Sequence, residues 1–398
     1  MNRLSIVFTL ALLAAACEKQ DEKLPAQDAV QANYSLCFAG EQYRIFEAGK
    51  SVELEILNLN GEGDPVSVPE DVQVSVSVPE NSSELIARFN EKWASACVAA
   101  PASVYSLGSA TMKAGSWSAR VRVRIDTDKI RANKSSKAYV IPLRIKSGSG
   151  ELRSHDLRYL VLPTYTTNSA GRELVHFSSA GAYLEMYYTD QVNDKAMIFC
   201  PGGGYSVCYD PGAAPYAGNG IAVGVLWYTL PVGELRGRYD LTTQDAYDAV
   251  DILWANASRW GNYTKVGTAG RSAGGHLAGT TAAYRRDKVD FQILLYAVTN
   301  MDISKSHEGS VYQFLGDYKT PELIDAYTLF KLVGPDTPRA FISWNEDDST
   351  VPQAFNCAPY AAALAAAGVP VTTSVHATGG HQTGPDYPGC VLDWLKTF

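Results

Sequence analysis

A change of hydrophobic period partway along the chain limits the fold more than any other feature. Beyond residue 172, short apolar runs at 196–200, 222–228, 266–269, 291–296, 340–344 and 371–375 alternate with helical patterns, notably 242–258 and 355–367. Continuous apolar strands separated by helices predict a mostly parallel sheet covered on both faces. Such sheets carry their sites at the carboxyl ends of the strands. Between 34 and 162 the period is two. Segments 52–56, 72–78 and 121–125 alternate apolar with polar residues, and 138–145 and 158–162 are further candidate strands. Gly61, Gly63, Asp64 and Pro65 are among the turn residues that separate these runs. Strands with one wet face and no strong amphipathic helix predict a β-sandwich. The polar, turn-rich stretch 163–171 reads as a linker. The expected class is α/β: a doubly wound, mostly parallel sheet at 172–398, preceded by a smaller all-β sandwich at 34–162.

The first residues read as a targeting signal. Arg3 supplies a positive start, and 4–16 is an apolar run too short to span a bilayer comfortably. Small residues lead directly into Cys17, as in a bacterial lipobox. Residues 1–16 are therefore expected to be a lipoprotein signal peptide, with Cys17 lipidated; cleavage as an ordinary secretory peptide is the alternative. Residues 17–33 read as a polar tether resembling that of surface-exposed lipoproteins in Bacteroides-like bacteria. The expected location is the outer membrane, with contact to the bilayer only through the lipid.

A formal charge of −8 and the lack of any Lys/Arg block argue against nucleic-acid binding. The abundance of tyrosine suits an aromatic surface that meets sugars. Six cysteines follow Cys17: Cys37, Cys97, Cys200, Cys208, Cys357 and Cys390. Their spacing fits no metal pattern, so buried thiols are expected. Cys37 with Cys97 is the one pairing to check, since both fall in the first domain.

The chemistry gathers around Ser272. It sits in Gly270-Arg271-Ser272-Ala273-Gly274, after an apolar strand and before a segment able to open a helix. A strand-turn-helix of this kind needs small residues two before and two after the serine, and lifts the hydroxyl to the top of the sheet. A serine needs a base, and on such a fold acid and histidine should follow it in that order. His155 and His176 precede the serine. His276 lies on the following helix and is expected to point away as a structural residue. His307 falls in a polar loop, and His376 ends a strand. His381, in the flexible-looking Gly379-Gly380-His381 loop, is the expected base. Glu346, Asp347 and Asp348 compete for the acid; spacing to Val351-Pro352 favours Asp348, with Asp347 second. The glycines of 201–205 (PGGGY) follow the early strand, so Gly203, Gly204 and the N–H of Ala273 are the expected oxyanion donors. The mechanism calls for no metal or cofactor.

Residues from about 195 onward resemble the lidless α/β-hydrolase carbohydrate esterases, the group of acetyl-xylan and feruloyl esterases. The matching segments, in order, are 201–205 (PGGGY), 228–231 (YTLP), 270–278 (GRSAGGHLA), 309–316 (GSVYQFLG), 336–338 (DTP), 347–352 (DDSTVP) and 379–381 (GGH). Thr229 stands where the family often has arginine, and Gln382-Thr383-Gly384 where it often has Gly-Phe-Gly. The first domain is loosely similar, through its YVIPLR strand, to sandwich domains of Bacteroides surface lipoproteins, and is read as a spacer or docking module for envelope proteins. The resemblance implies an esterase acting on acetylated or feruloylated plant polysaccharide, with access limited only by the short insertion 302–334. A prolyl-oligopeptidase-like peptidase and a non-catalytic carbohydrate-binding lipoprotein are the alternatives. The peptidase would need a size filter such as a propeller, which this chain lacks.

Overall fold

The computed structural model describes residues 34–40, 44–147, 150–152, 156–177, 181–190, 194–317 and 319–398. The signal peptide, Cys17, the tether and His155 lie outside the described residues.

Two sheets form the first domain. One runs in the order Gly150–Leu152, Tyr34–Phe38, Ser51–Asn58, Ser118–Ile125, Tyr105–Leu107. The other follows the path Arg44–Phe46, Leu157–Leu162, Tyr139–Ser147, Val72–Ser77, Ser109–Met112, with Val98–Ala99 pairing alongside Tyr139–Ser147. The alternation in Ser118–Ile125 does what its sequence predicts. Val121, Val123 and Ile125 are buried, while Arg120 and Arg122 face out and pair across to Glu55 and Glu53.

The second sheet departs from the expectation of one wet face. Leu160 and Leu162 enter the core between the sheets, but Tyr159 and Val161 are also buried, on the other side. The cover is an amphipathic helix, Ser82–Lys92, that the sequence reading missed. Its Leu85, Ile86 and Phe89 pack on Tyr159, whose ring lies 4.9 Å from that of Phe89. The spacing of those three residues is helical. Cys37 and Cys97 are buried thiols with no disulfide between them. Cys97 belongs to the cluster under this helix.

The second sheet system has nine strands in the order Thr164–Thr167, Glu173–His176, Tyr183–Tyr187, Ala222–Trp227, Lys195–Cys200, Lys265–Arg271, Phe291–Leu295, Arg339–Asn345, Val371–His376. The first four pair antiparallel, and from Ala222–Trp227 onward every pairing is parallel. Every residue of Lys195–Cys200 and Phe291–Leu295 is buried, as expected of strands covered on both faces. Helices Tyr239–Ala255, Ser272–Tyr284, Cys357–Ala366 and Gly389–Leu395 supply much of the cover.

The expected linker at 163–171 is not one. Thr164–Thr167 is the edge strand of the nine-stranded sheet, paired with Glu173–His176. Thr164 and Tyr165 are buried despite the polar look of the segment. Nor is the sandwich a detached spacer. One apolar cluster runs from Leu36 and Ile56 in the sandwich to Leu253 and Leu277 in the second domain. Arg44 of the sandwich pairs with Asp248 on helix Tyr239–Ala255, the two side chains being 4% and 1% exposed. Arg131 stacks on Tyr165, 3.6 Å from its ring centre, and pairs with Glu173. A charge buried without its partner is very unfavourable, so each pair ties the two domains together.

Candidate active site

The turn at Ser272 is built by steric exclusion. The central strand ends at Arg271 and the helix begins at Ser272, which adopts φ +52°. A non-glycine residue in this left-handed region stores strain of order 1–3 kcal/mol. A Cβ on Gly270 would lie 2.1 Å from the Gly274 carbonyl oxygen, and one on Gly274 only 2.2 Å from those of Cys200 and Pro201. Neither glycine has a positive φ. Space, not backbone freedom, excludes a side chain at both positions.

The structure brings Ser272, His381 and Asp348 together. Ser272 Oγ lies 2.8 Å from His381 Nε2, and His381 Nδ1 lies 2.8 Å from Asp348 Oδ2. An ionised carboxylate only accepts, so Nδ1 carries the proton and donates. Nε2 is then the acceptor for the serine hydroxyl, the tautomer that a general base requires. Asp348 also accepts from the Val351 N–H at 2.9 Å, the Thr350 N–H at 3.0 Å and Gln353 Nε2 at 3.0 Å. Burial pushes its carboxyl upward, but the bonds from His381, Val351 and Gln353 outweigh this and hold it below the usual carboxylate range. It therefore stays ionised beside the imidazole.

Asp347 serves the site differently. Its carboxylate accepts from the Gly380 N–H at 2.7 Å and the Gly379 N–H at 3.2 Å. Asn345 Nδ2 donates to the carbonyls of Gly380 and Gln382, both at 2.9 Å. His376 Nε2 lies 3.0 Å from Asp386 Oδ1, which closes the base of the same loop. The histidine loop is thus held by both ends and its middle, contrary to the flexibility its glycines suggest. Tyr296 completes the support, its ring edge-on to His381 at 4.7 Å, from a backbone at φ +39°. Nothing in the sequence marks Tyr296 beyond its place after a strand.

The glycine loop sits on Ser272. A Cβ on Gly202 would meet the Arg271 carbonyl at 3.0 Å and Ser272 Cβ at 3.4 Å. Gly203 and Gly204 have φ of +136° and +63°. A Cβ on Gly203 would strike the Val207 carbonyl oxygen at 2.0 Å. Below them Tyr205, fully buried, anchors the loop to His276, with Tyr205 Oη 2.7 Å from His276 Nδ1. His276 Nε2 donates to the Tyr327 carbonyl at 2.8 Å, so Nδ1 must accept from the tyrosine hydroxyl. His276 is structural, as expected, and burial lowers its pKa to about 4. Tyr228 Oη donates to the Pro201 carbonyl at 2.8 Å. Ala273 follows Ser272 at the start of the helix and is buried.

His307, read as a loop residue, caps helix Glu308–Leu315 through its Nδ1, which accepts from the Ser310 N–H at 3.1 Å. A Cβ on Gly204 would lie 3.4 Å from its Cε1, so the insertion reaches the glycine loop. Burial pushes the Cys97 thiol up to about 11 and that of Cys200 higher still, leaving thiols rather than thiolates. Among the described residues no cluster of His, Cys, Asp and Glu could hold a metal ion, and no helix is long and apolar enough to cross a membrane.

Comparison with known proteins agrees with this architecture. Residues 236–384 match the family described as alpha/beta hydrolase fold, and residues 42–152 match a family of N-terminal domains. An acetylxylan esterase of Xylanibacter ruminicola is 31% identical over 233 residues, 56% of this chain and 48% of that protein. Endo-1,4-beta-xylanase B of Butyrivibrio fibrisolvens is 30% identical over 189 residues, 43% of this chain and 29% of that protein. The chain therefore spans half or less of the curated relatives it matches. Among solved structures, an acetyl ester-xyloside bifunctional hydrolase from Caldicellulosiruptor lactoaceticus is 26% identical with a TM-score of 0.48, covering 54% of this chain and 87% of that one.

Proposed function

We propose that this α/β-hydrolase chain is a serine-dependent carboxylic ester hydrolase that removes acetyl groups, or related acyl groups such as feruloyl, from plant polysaccharide. The observation that carries the reading is the relay of two 2.8 Å contacts from Ser272 through His381 to Asp348. Ser272 Oγ attacks the ester carbonyl as its proton passes to His381 Nε2. The carbonyl oxygen becomes an oxyanion, for which the N–H groups of Gly203, Gly204 and Ala273 are the donors. Collapse of the intermediate expels the sugar alkoxide, which takes the proton from His381 Nε2. Water then enters, loses a proton to the same nitrogen, and frees the acid while Ser272 recovers its own.

Similarity to an acetylxylan esterase supports acetylated xylan as the substrate class. So does an exposed aromatic beside the site: Tyr209 is 66% exposed and its N–H donates to the Gly202 carbonyl at 3.0 Å. A ring placed there could stack on a sugar. The leader ending at Cys17 supports an envelope-anchored enzyme, with the sandwich available to envelope partners. Acetate and ferulate release from a panel of esterified xylans tests the activity. Acetate release that vanishes in Ser272→Ala is expected, and release that survives it contradicts the reading.

A further inference from the structure

We propose that Arg271 and the tyrosines around it form a subsite for a carboxylate carried by the substrate next to its scissile ester; this deepens the esterase reading and rests on it. Arg271 directly precedes the nucleophile. Among the described residues its side chain makes no ion pair and no hydrogen bond. Its Nε is buried without a partner, whereas the residue as a whole is only half-buried, so its terminal N–H groups are the part it presents to solvent. The guanidinium is held between aromatic faces, 5.1 Å from the ring centre of Tyr387 and 5.7 Å from that of Phe199. The hydroxyls of Tyr387 and of the fully buried Tyr216 are also buried, and they face each other.

A buried guanidinium N–H without a partner is costly in a folded protein and commonly marks a place where a ligand completes the bonding. A planar carboxylate fits: it accepts two parallel bonds from a guanidinium and further bonds from hydroxyls. The subsite joins the reaction centre through Tyr296, which lies edge-on to His381. Burial raises the pKa of the Tyr296 hydroxyl and the charge of Arg271 opposes that rise, as expected if the two face each other. By contrast, Arg44 is paired with Asp248 and Arg285 with Asp251.

The carboxylate has two chemical sources, a uronate on the glycan or an acid group on the acyl chain. Calorimetry on the intact wild-type chain distinguishes them with ligands that hold no ester to cleave: a xylotriose bearing one glucuronate, the same compound with that acid amidated, unsubstituted xylotriose, and succinate. The acidic trisaccharide should bind at least tenfold more tightly than its amide, and Arg271→Met should erase the difference. Binding of succinate without a preference among the trisaccharides also supports the subsite and places the carboxylate on the acyl side. Equal affinity for acid and amide together with no succinate binding overturns the proposal, as does a preference that survives in Arg271→Met. Should that variant not fold, the wild-type contrast between acid and amide decides alone. Because no ligand is turned over, failure here is separate from failure of the esterase reading, which acetate release tests.

Discussion

Asp347 and Gly380 are joined by a 2.7 Å hydrogen bond from the glycine N–H, so the carboxylate next to Asp348 holds the histidine's loop rather than its ring. Adjacent aspartates thus have separable duties. Asp348→Asn should lower kcat roughly ten-thousandfold by presenting the wrong tautomer of His381 to Ser272. Asp347→Asn should cost about ten- to a hundredfold through misplacement of the ring. Steady-state kinetics on p-nitrophenyl acetate would show the ranking, and a larger loss from Asp347→Asn would reverse the assignment.

The elbow glycines predict a steric outcome. Gly274→Ala sets a methyl 2.2 Å from two carbonyl oxygens, on the loop that carries Gly203 and Gly204. The turn must open, which should destabilise the fold by about 1–3 kcal/mol and displace the backbone of Gly203 and Gly204, the proposed oxyanion donors. Melting temperature and kcat should fall together. Gly368→Ala is a useful contrast, because nothing lies within 4 Å there and only its φ of +73° opposes the change.

His276 makes stability depend on pH. Its folded-state pKa is depressed to about 4 from an ordinary value of 6.5. Above 6.5 neither the folded nor the unfolded state binds the proton, and stability from this group is flat. Between 6.5 and 4 the unfolded chain takes up a proton that the folded one refuses, so stability falls as the pH falls, by roughly 3 kcal/mol across the window. His276→Gln should be less stable at pH 7, having lost its contacts to Tyr205 and the Tyr327 carbonyl, yet lose less on moving to pH 4.5. Urea unfolding at the two pH values measures both; an equal acid loss in variant and wild type would rule out this group.

The buried Arg44–Asp248 pair predicts that the two domains unfold together. Arg44→Met leaves a buried, uncompensated carboxylate on the helix behind the sheet. It should cost about 3–5 kcal/mol. Calorimetric scanning should give one transition for the wild type. Two separated transitions would show that the shared core and the buried pairs contribute little coupling.

Much of this was legible in the sequence, for reasons that vary from residue to residue. Six apolar runs fall on six strands of the sheet; the inner ones declared themselves because both their faces are buried, whereas the edge strand Val371–His376 is apolar at intervals without being buried. The meeting of Ser272, Asp348 and His381 was legible through their order in the chain and the glycines beside Ser272 and His381. The strand Thr164–Thr167 was not, because its hydroxyl-rich residues read as turn formers while the buried environment of Thr164 and Tyr165 is set by distant packing. The helix Ser82–Lys92 carried a helical signal that was overlooked amid strands. Tyr296, Asp347 and His307 act through loops that meet only in three dimensions, and no local pattern distinguishes them.

Labelling by a fluorophosphonate, read by peptide mass spectrometry, tests the central claim most directly. Wild-type protein should acquire one adduct, on Ser272, and His381→Ala should slow its formation by at least a hundredfold. An adduct on another residue, or labelling of Ser272 that does not depend on His381, would contradict the account.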